Sequence, residues 1–88
     1  GEWLKARGVA LIGSDDALDV VPSLVEGINL PVHTLAITAL GLNILDNQDL
    51  EALGTLAAAQ KRWEFMLTVA PVPVTGGTGF PVNALATF

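Results

Sequence analysis

The sequence predicts an α/β fold from the order of its apolar segments. Three short, mostly apolar runs are typical of strands, and they occupy residues 9–12, 42–45 and 65–70. Three segments with helical features alternate with them, at residues 1–7, 31–40 and 50–62. The resulting order of helix, strand, helix, strand, helix, strand favours an α/β arrangement over a helix bundle.

The first helix and strand are delimited by glycines. Residues 1–7 indicate the end of a helix, and Gly8 is suited to the left-handed conformation that ends one. Because this helix begins at the first residue without an N-cap, we expect the natural chain to start earlier. The run 9–12 is apolar throughout, which predicts a strand buried on both faces. A turn at 13–16 and an irregular segment at 17–27 follow.

The second helix is predicted to begin at Asn29-Leu30-Pro31, since proline is tolerated in a first helical turn. Gly41 ends it, and a second strand follows at 42–45. The apolar residues that share one helical face in this segment are Val32, Leu35, Ala36, Ala39 and Leu40.

The third helix, residues 50–62, has acidic residues at its start and basic residues at its end, as the helix dipole favours. A third strand at 65–70, apolar on both sides, should reach a sheet edge because Pro71 and Pro73 cannot donate to a neighbouring strand. The predicted buried stripe of this helix consists of Leu50, Leu53, Leu56 and Ala57.

Composition limits the class of protein. At 88 residues the chain is predicted to be one domain, residues 1–88, yet 51% of its residues are apolar and only 15% are charged. We therefore expect another copy, another chain or a missing part of the same chain to cover some of that surface. A net charge of −5 argues against nucleic-acid binding. The lack of cysteine and of a bilayer-length apolar run predicts a cytoplasmic protein without a membrane partner.

Two residues are the best candidates for chemistry. His33, the only histidine, lies near the start of the second helix, and Asp46 follows the second strand, where site residues of α/β folds are often found. An imidazole and a carboxylate can bind a metal or transfer protons. The alternative for His33 is a half-buried side chain bonded to a backbone carbonyl. The alternative for Asp46 is a capping role before the third helix.

Two further segments are weaker candidates. The glycine-rich loop 75–79 lacks the ending of a phosphate-binding loop, and it indicates a close backbone approach instead. Asp15, Asp16 and Asp19 could bind a hard cation, but their spacing favours a solvated turn.

An ordered set of segments resembles the C-terminal part of the cyclase family of metal-dependent hydrolases, which includes kynurenine formamidase and isatin hydrolase. The resemblance covers nearly all of the chain. The segments are Trp3-Leu4, Arg7-Gly8-Val9, Ile12-Gly13-Ser14-Asp15, Val32-His33, Gly41, Leu45-Asp46-Asn47, Asp49-Leu50, Arg62-Trp63-Glu64-Phe65, Ala70-Pro71 and Gly76-Gly77-Thr78-Gly79-Phe80-Pro81-Val82-Asn83.

This resemblance implies the C-terminal portion of a swivelling β/β/α fold and hydrolysis of cyclic or N-formyl amides at a zinc or manganese centre. It also implies that His33 and Asp46 act as metal ligands or catalytic proton-transfer groups. The carboxylate in the family is commonly glutamate, one methylene longer than Asp46. The family's histidine-rich motif, HxGTHxDxPxH, cannot be present in a chain with one histidine.

The sequence therefore predicts a truncated or separately encoded segment that is inactive alone and needs a missing N-terminal half or further copies of itself. The alternative is a non-enzymatic oligomerisation module that keeps the fold. A third possibility is a metal site assembled from several copies of His33. The family's cofactor is zinc or manganese, and a single copy of this chain is expected to hold none.

Overall fold

The computed structural model describes residues 1–88 and divides them into two units, Gly1–Leu50 and Glu51–Phe88. Each unit mixes helix and strand and has one small two-stranded sheet. No helix has the length and apolar character that a bilayer-spanning segment requires. The organisation of residues 1–88 as one cyclase-like domain stays a prediction.

The first unit is built around a pair of parallel strands joined through a helix. Its strands lie side by side with Ile12 opposite Ile44, so the connection between them crosses over through the helical segment. The elements in chain order are α1 (Glu2–Ala6), β1 (Leu11–Gly13), α2 (Pro31–His33), a π-helical continuation (Thr34–Leu40) and β2 (Asn43–Leu45).

The start of the first unit follows the prediction in outline. Helix α1 ends at Ala6, and Gly8 has the expected positive φ of 61°. Strand β1 begins two residues later than predicted, at Leu11. The predicted burial of this strand on both faces is wrong, because Leu11 and Ile12 are only half-buried. A sheet of two short strands offers too little cover for full burial.

The second helix begins at Pro31 and ends before Gly41, as predicted, but most of it is π-helical. Gly41 adopts a φ of 65°, and the N–H groups of Gly41 and Leu42 both donate to the carbonyl of Ala36. The predicted α-helical stripe is only partly buried, since Ala36 is enclosed whereas Leu35 is 40% exposed. Hydrogen bonds from residue i to i+5 widen the turn and change which positions share a face.

The second unit contains helix α3 (Glu51–Gln60) and an antiparallel pair, β3 (Met66–Thr68) and β4 (Leu85–Thr87). Helix α3 confirms the predicted third helix within two residues at each end. Strand β3 ends before the prolines, and all three of its residues are exposed. Strand β4 was not predicted. The rings of Phe65 and Phe88 pack 5.5 Å apart beside this pair.

The apolar core is small. Only Ala36, Leu42 and Ala57 are buried among the apolar residues, and no large side chain is fully buried. In the predicted stripe of α3, Ala57 is buried and Leu53 is half-buried, whereas Leu50 and Leu56 are exposed. Most of the apolar composition therefore lies at the surface of this chain.

Candidate functional site

The candidate site lies where the two parallel strands of the first unit end. Asp46 directly follows the last residue of β2, and the loop that follows β1 contains Asp19. His33 lies at the start of the helix between these strands. In α/β sheets the carboxyl ends of parallel strands are the usual place for ligands, because loops from neighbouring strands meet there.

Asp19 binds both the ring and the backbone at the start of the helix. Its carboxylate accepts the backbone N–H of Val32 at 2.7 Å and that of His33 at 2.9 Å. The N-cap residue, Leu30, has no capping side chain, and Pro31 has no N–H to offer. A helix is normally capped by the side chain of its own N-cap residue. Here Asp19 provides the cap from a loop that is distant in sequence. The same carboxylate lies 2.6 Å from Nδ1 of His33.

Asp46 lies on the other side of the imidazole. Its Oδ2 is 2.7 Å from Nε2 of His33, and its Oδ1 accepts the backbone N–H of Leu18 at 3.2 Å. The side chains of His33 and Asp46 are 24% and 23% exposed, whereas that of Asp19 is 1% exposed. The imidazole is thus held between one buried carboxylate and one that contacts solvent.

Backbone hydrogen bonds fix the two loops that bring the carboxylates together. Ser14 donates its N–H to the carbonyl of Leu45 at 3.0 Å, and its own carbonyl accepts the N–H of Gln48 at 2.9 Å. The side-chain amide of Gln48 then donates to the carbonyl of Asp46 at 3.0 Å. These hydrogen bonds therefore hold the loop after β1 against the loop after β2.

These contacts favour a charged state of the site. Burial alone would raise the pKa of Asp19, but the hydrogen bonds from the N–H groups of His33 and Val32, and then from the imidazole, lower it. The hydrogen bond to Asp19 raises the pKa of His33; burial opposes this shift, and Asp46 reinforces it. A protonated imidazole beside an ionised Asp19 is the state that these shifts favour.

The structure brings His33 and Asp46 together, and it adds Asp19, which the sequence analysis assigned to a solvated turn and not to this site. The hypothesis of a solvated turn is wrong for Asp19, which is buried, whereas Asp15 and Asp16 are exposed. One signal could have revealed Asp19: the helix start at Leu30 has no capping side chain and needs an acceptor from elsewhere.

The observed contacts of His33 differ from the alternative of a bond to a backbone carbonyl. The ring of His33 is half-buried, but it bonds to carboxylates and not to a backbone carbonyl. The carboxylate of Asp46 contacts Leu18 and His33, which precede it in the chain. The glycine loop does make the expected close approach, since a Cβ atom on Gly77 would lie 3.1 Å from that of Val74.

The site offers few donors for a metal ion. No group of three or more His, Cys, Asp or Glu side chains is arranged to hold a metal ion. With Nδ1 of His33 bonded to Asp19, the remaining donors are Nε2 and the carboxylate of Asp46, which bond to each other and would have to release that bond to hold an ion. A catalytic zinc usually takes three protein ligands, so these two residues fit such an ion only as part of its ligand set.

No family model, curated protein or solved structure matches this chain. The resemblance to the cyclase family therefore depends on the segments quoted from the sequence. The functional argument below depends on the geometry of Asp19, His33 and Asp46.

Proposed function

We propose that this chain supplies the His33 and Asp46 half of a metal-dependent amide-hydrolysing centre, as the C-terminal segment of a cyclase-family enzyme that is inactive alone. The observation that supports this proposal best is the Asp19–His33–Asp46 hydrogen-bonded chain at the ends of two parallel strands. We further propose that the missing donors come from an N-terminal half or another subunit, and that the protein is cytoplasmic.

Each residue of the half-site has a defined role in this proposal. Asp19 holds the ring from the buried side, which is the usual task of a carboxylate behind a metal-bound histidine. His33 and Asp46 offer one nitrogen and one oxygen donor on the side that reaches solvent. Zinc accepts both donor types, and manganese favours the oxygen donor. The bound metal would supply Lewis acidity and an acidified water for attack on an amide carbonyl.

The first test measures metal binding and turnover by the full 88-residue chain. We expect zinc and manganese to bind weakly in calorimetry, and His33→Ala and Asp46→Asn each to lower the affinity by about tenfold or more. Asp15→Asn removes the same charge from an exposed position nearby and should leave the affinity unchanged. Hydrolysis of N-formylkynurenine or isatin should stay at background with either metal, because the ligand set is incomplete.

Two results would contradict this proposal. One is metal affinity that both site variants leave unchanged. The other is robust turnover by the pure chain. DNA sequence upstream of the codon for Gly1 that encodes HxGTHxDxPxH would support a split or clipped enzyme.

A second candidate function, a non-enzymatic oligomerisation module, is favoured by the exposed apolar surface. The loop that follows Asp19 has Val20 68%, Val21 79% and Leu24 90% exposed. In all, eighteen large apolar side chains are exposed in the chain. Contiguous apolar surface on a soluble domain usually marks an interface. Such a module would keep the fold and would use this surface for contact with further copies of itself.

The second candidate predicts concentration-dependent self-association. Sedimentation should show oligomers of the unmodified chain, and Val21→Lys with Leu24→Lys should shift them to monomer, because charged groups are costly to bury in an apolar interface. Lys5→Ala in α1 provides a control variant at an exposed position outside this loop. A monomer at all concentrations that also fails to bind a hydrophobic dye would exclude this function.

A further inference from the structure

We infer that Asp19 is a positioning residue that keeps the ring proton of His33 on Nδ1, so that Nε2 is the nitrogen presented to Asp46 and to solvent. This inference depends on the proposed function only where Nε2 is assigned as a metal ligand. The choice of tautomer follows from contacts within the chain itself.

The contacts of Asp19 define it as an acceptor. Its Oδ1 receives the N–H of Val32 at 2.7 Å, and its Oδ2 lies 2.9 Å from the backbone N and 2.6 Å from Nδ1 of His33. Backbone N–H groups only donate, so a carboxylate that bonds to two of them is stabilised in its ionised form. An ionised carboxylate has no proton to give. Nδ1 of His33 must therefore carry the hydrogen of its 2.6 Å contact. The 2.7 Å contact of Nε2 with Asp46 needs a hydrogen in the same way, so in a neutral ring, which has a single N–H, the two carboxylates compete for it.

The two sides of the imidazole differ in exposure. The side chain of Asp19 is 1% exposed, so water cannot readily replace it at Nδ1. Asp46 is 23% exposed, and a single backbone N–H, that of Leu18, holds its other oxygen. Exchange of a hydrogen-bond partner is therefore easier at Nε2 than at Nδ1. A metal, a substrate or a water would approach His33 from the Asp46 side.

The same carboxylate connects the ring orientation to the helix. Oδ2 of Asp19 bonds to the backbone and to the ring of one residue, His33, which restricts the rotation of its side chain. Because Asp19 also supplies the missing cap of this helix, the helix start and the ring are ordered together. A purely structural cap would order the helix without selecting a tautomer, so the tautomer separates the two roles.

The tautomer can be read directly by nuclear magnetic resonance. His33 is the only histidine, so a chain labelled with ¹⁵N-histidine gives one pair of ring nitrogen signals. Two-bond ¹H–¹⁵N spectra are recorded above the end of the ring's titration, where one nitrogen is protonated and the other is not. In the unmodified chain and in Asp46→Asn, we expect Nδ1–H to exceed Nε2–H by about tenfold or more. Asp19→Ala should lower that ratio by about tenfold.

A neutral ring with its proton mainly on Nε2 in the unmodified chain would overturn the inference, and this measurement requires no variant to fold. An unchanged ratio in a folded Asp19→Ala chain would overturn it as well. This test can fail or succeed independently of the proposed function. If the neutral ring carries its proton on Nδ1 but zinc affinity does not depend on His33, the proposed metal centre is wrong and the role of Asp19 still holds.

Discussion

Asp19→Ala is expected to raise the unfolded fraction of the Gly1–Leu50 unit by about thirtyfold, because three donors lose their acceptor at once. The backbone N–H groups of Val32 and His33 lose the cap of the helix, and Nδ1 loses its partner. Loss of a capping side chain is destabilising by itself. The small core of this unit offers little to offset the loss, since Ala36 and Leu42 are its buried apolar residues.

Hydrogen exchange measures this effect locally. The amide protons of Val32 and His33 should exchange faster in Asp19→Ala than in the unmodified chain, and denaturant unfolding should shift to lower concentration. Asp15→Ala is the matched control, since it removes an exposed carboxylate from the same loop. Equal exchange rates at Val32 in Asp19→Ala and in the control would show that the cap does not stabilise the helix.

The prediction from sequence succeeded where local chemistry decides the structure. Pro31 and Gly41 mark the two ends of the second helix because their backbone preferences need no distant partner. The sequence predicts His33 and Asp46 as a pair because a helix start and a strand end meet at one edge of an α/β sheet. Whether they perform the proposed chemistry stays a prediction.

The prediction failed where a distant contact decides the structure. The role of Asp19 depends on a loop folding back onto a helix start later in the chain, and no local periodicity encodes that contact. Strand β4 depends in the same way on pairing with β3, with Leu67 opposite Ala86. Apolar runs also predicted burial on both faces, but two-stranded sheets cannot cover themselves. Apolar composition indicates that residues are able to be buried. It does not indicate whether the surface that covers them belongs to the same chain.

The stability of the first unit is expected to have a maximum between about pH 3.8 and 6.5, which are the ordinary pKa values of the two titrating groups, Asp19 and His33. The pKa of His33 is raised in the folded chain, so its contribution is complete below 6.5 and is lost as the pH rises through the raised value. The pKa of Asp19 is lowered, so its contribution is complete above 3.8 and is lost as the pH falls through the lowered value.

Denaturant titrations at low ionic strength over this pH range test both limbs of the profile, because salt weakens the attraction between partly exposed charges. On the alkaline side, the unfolding equilibrium constant should rise by up to about tenfold per pH unit between 6.5 and the raised pKa of His33. His33→Asn should flatten this limb, since asparagine does not titrate there, whereas Asp19→Asn should flatten the acidic limb. Parallel profiles for the unmodified chain and His33→Asn above pH 6.5 would mean that the imidazole is not held in its charged form by its two carboxylate neighbours.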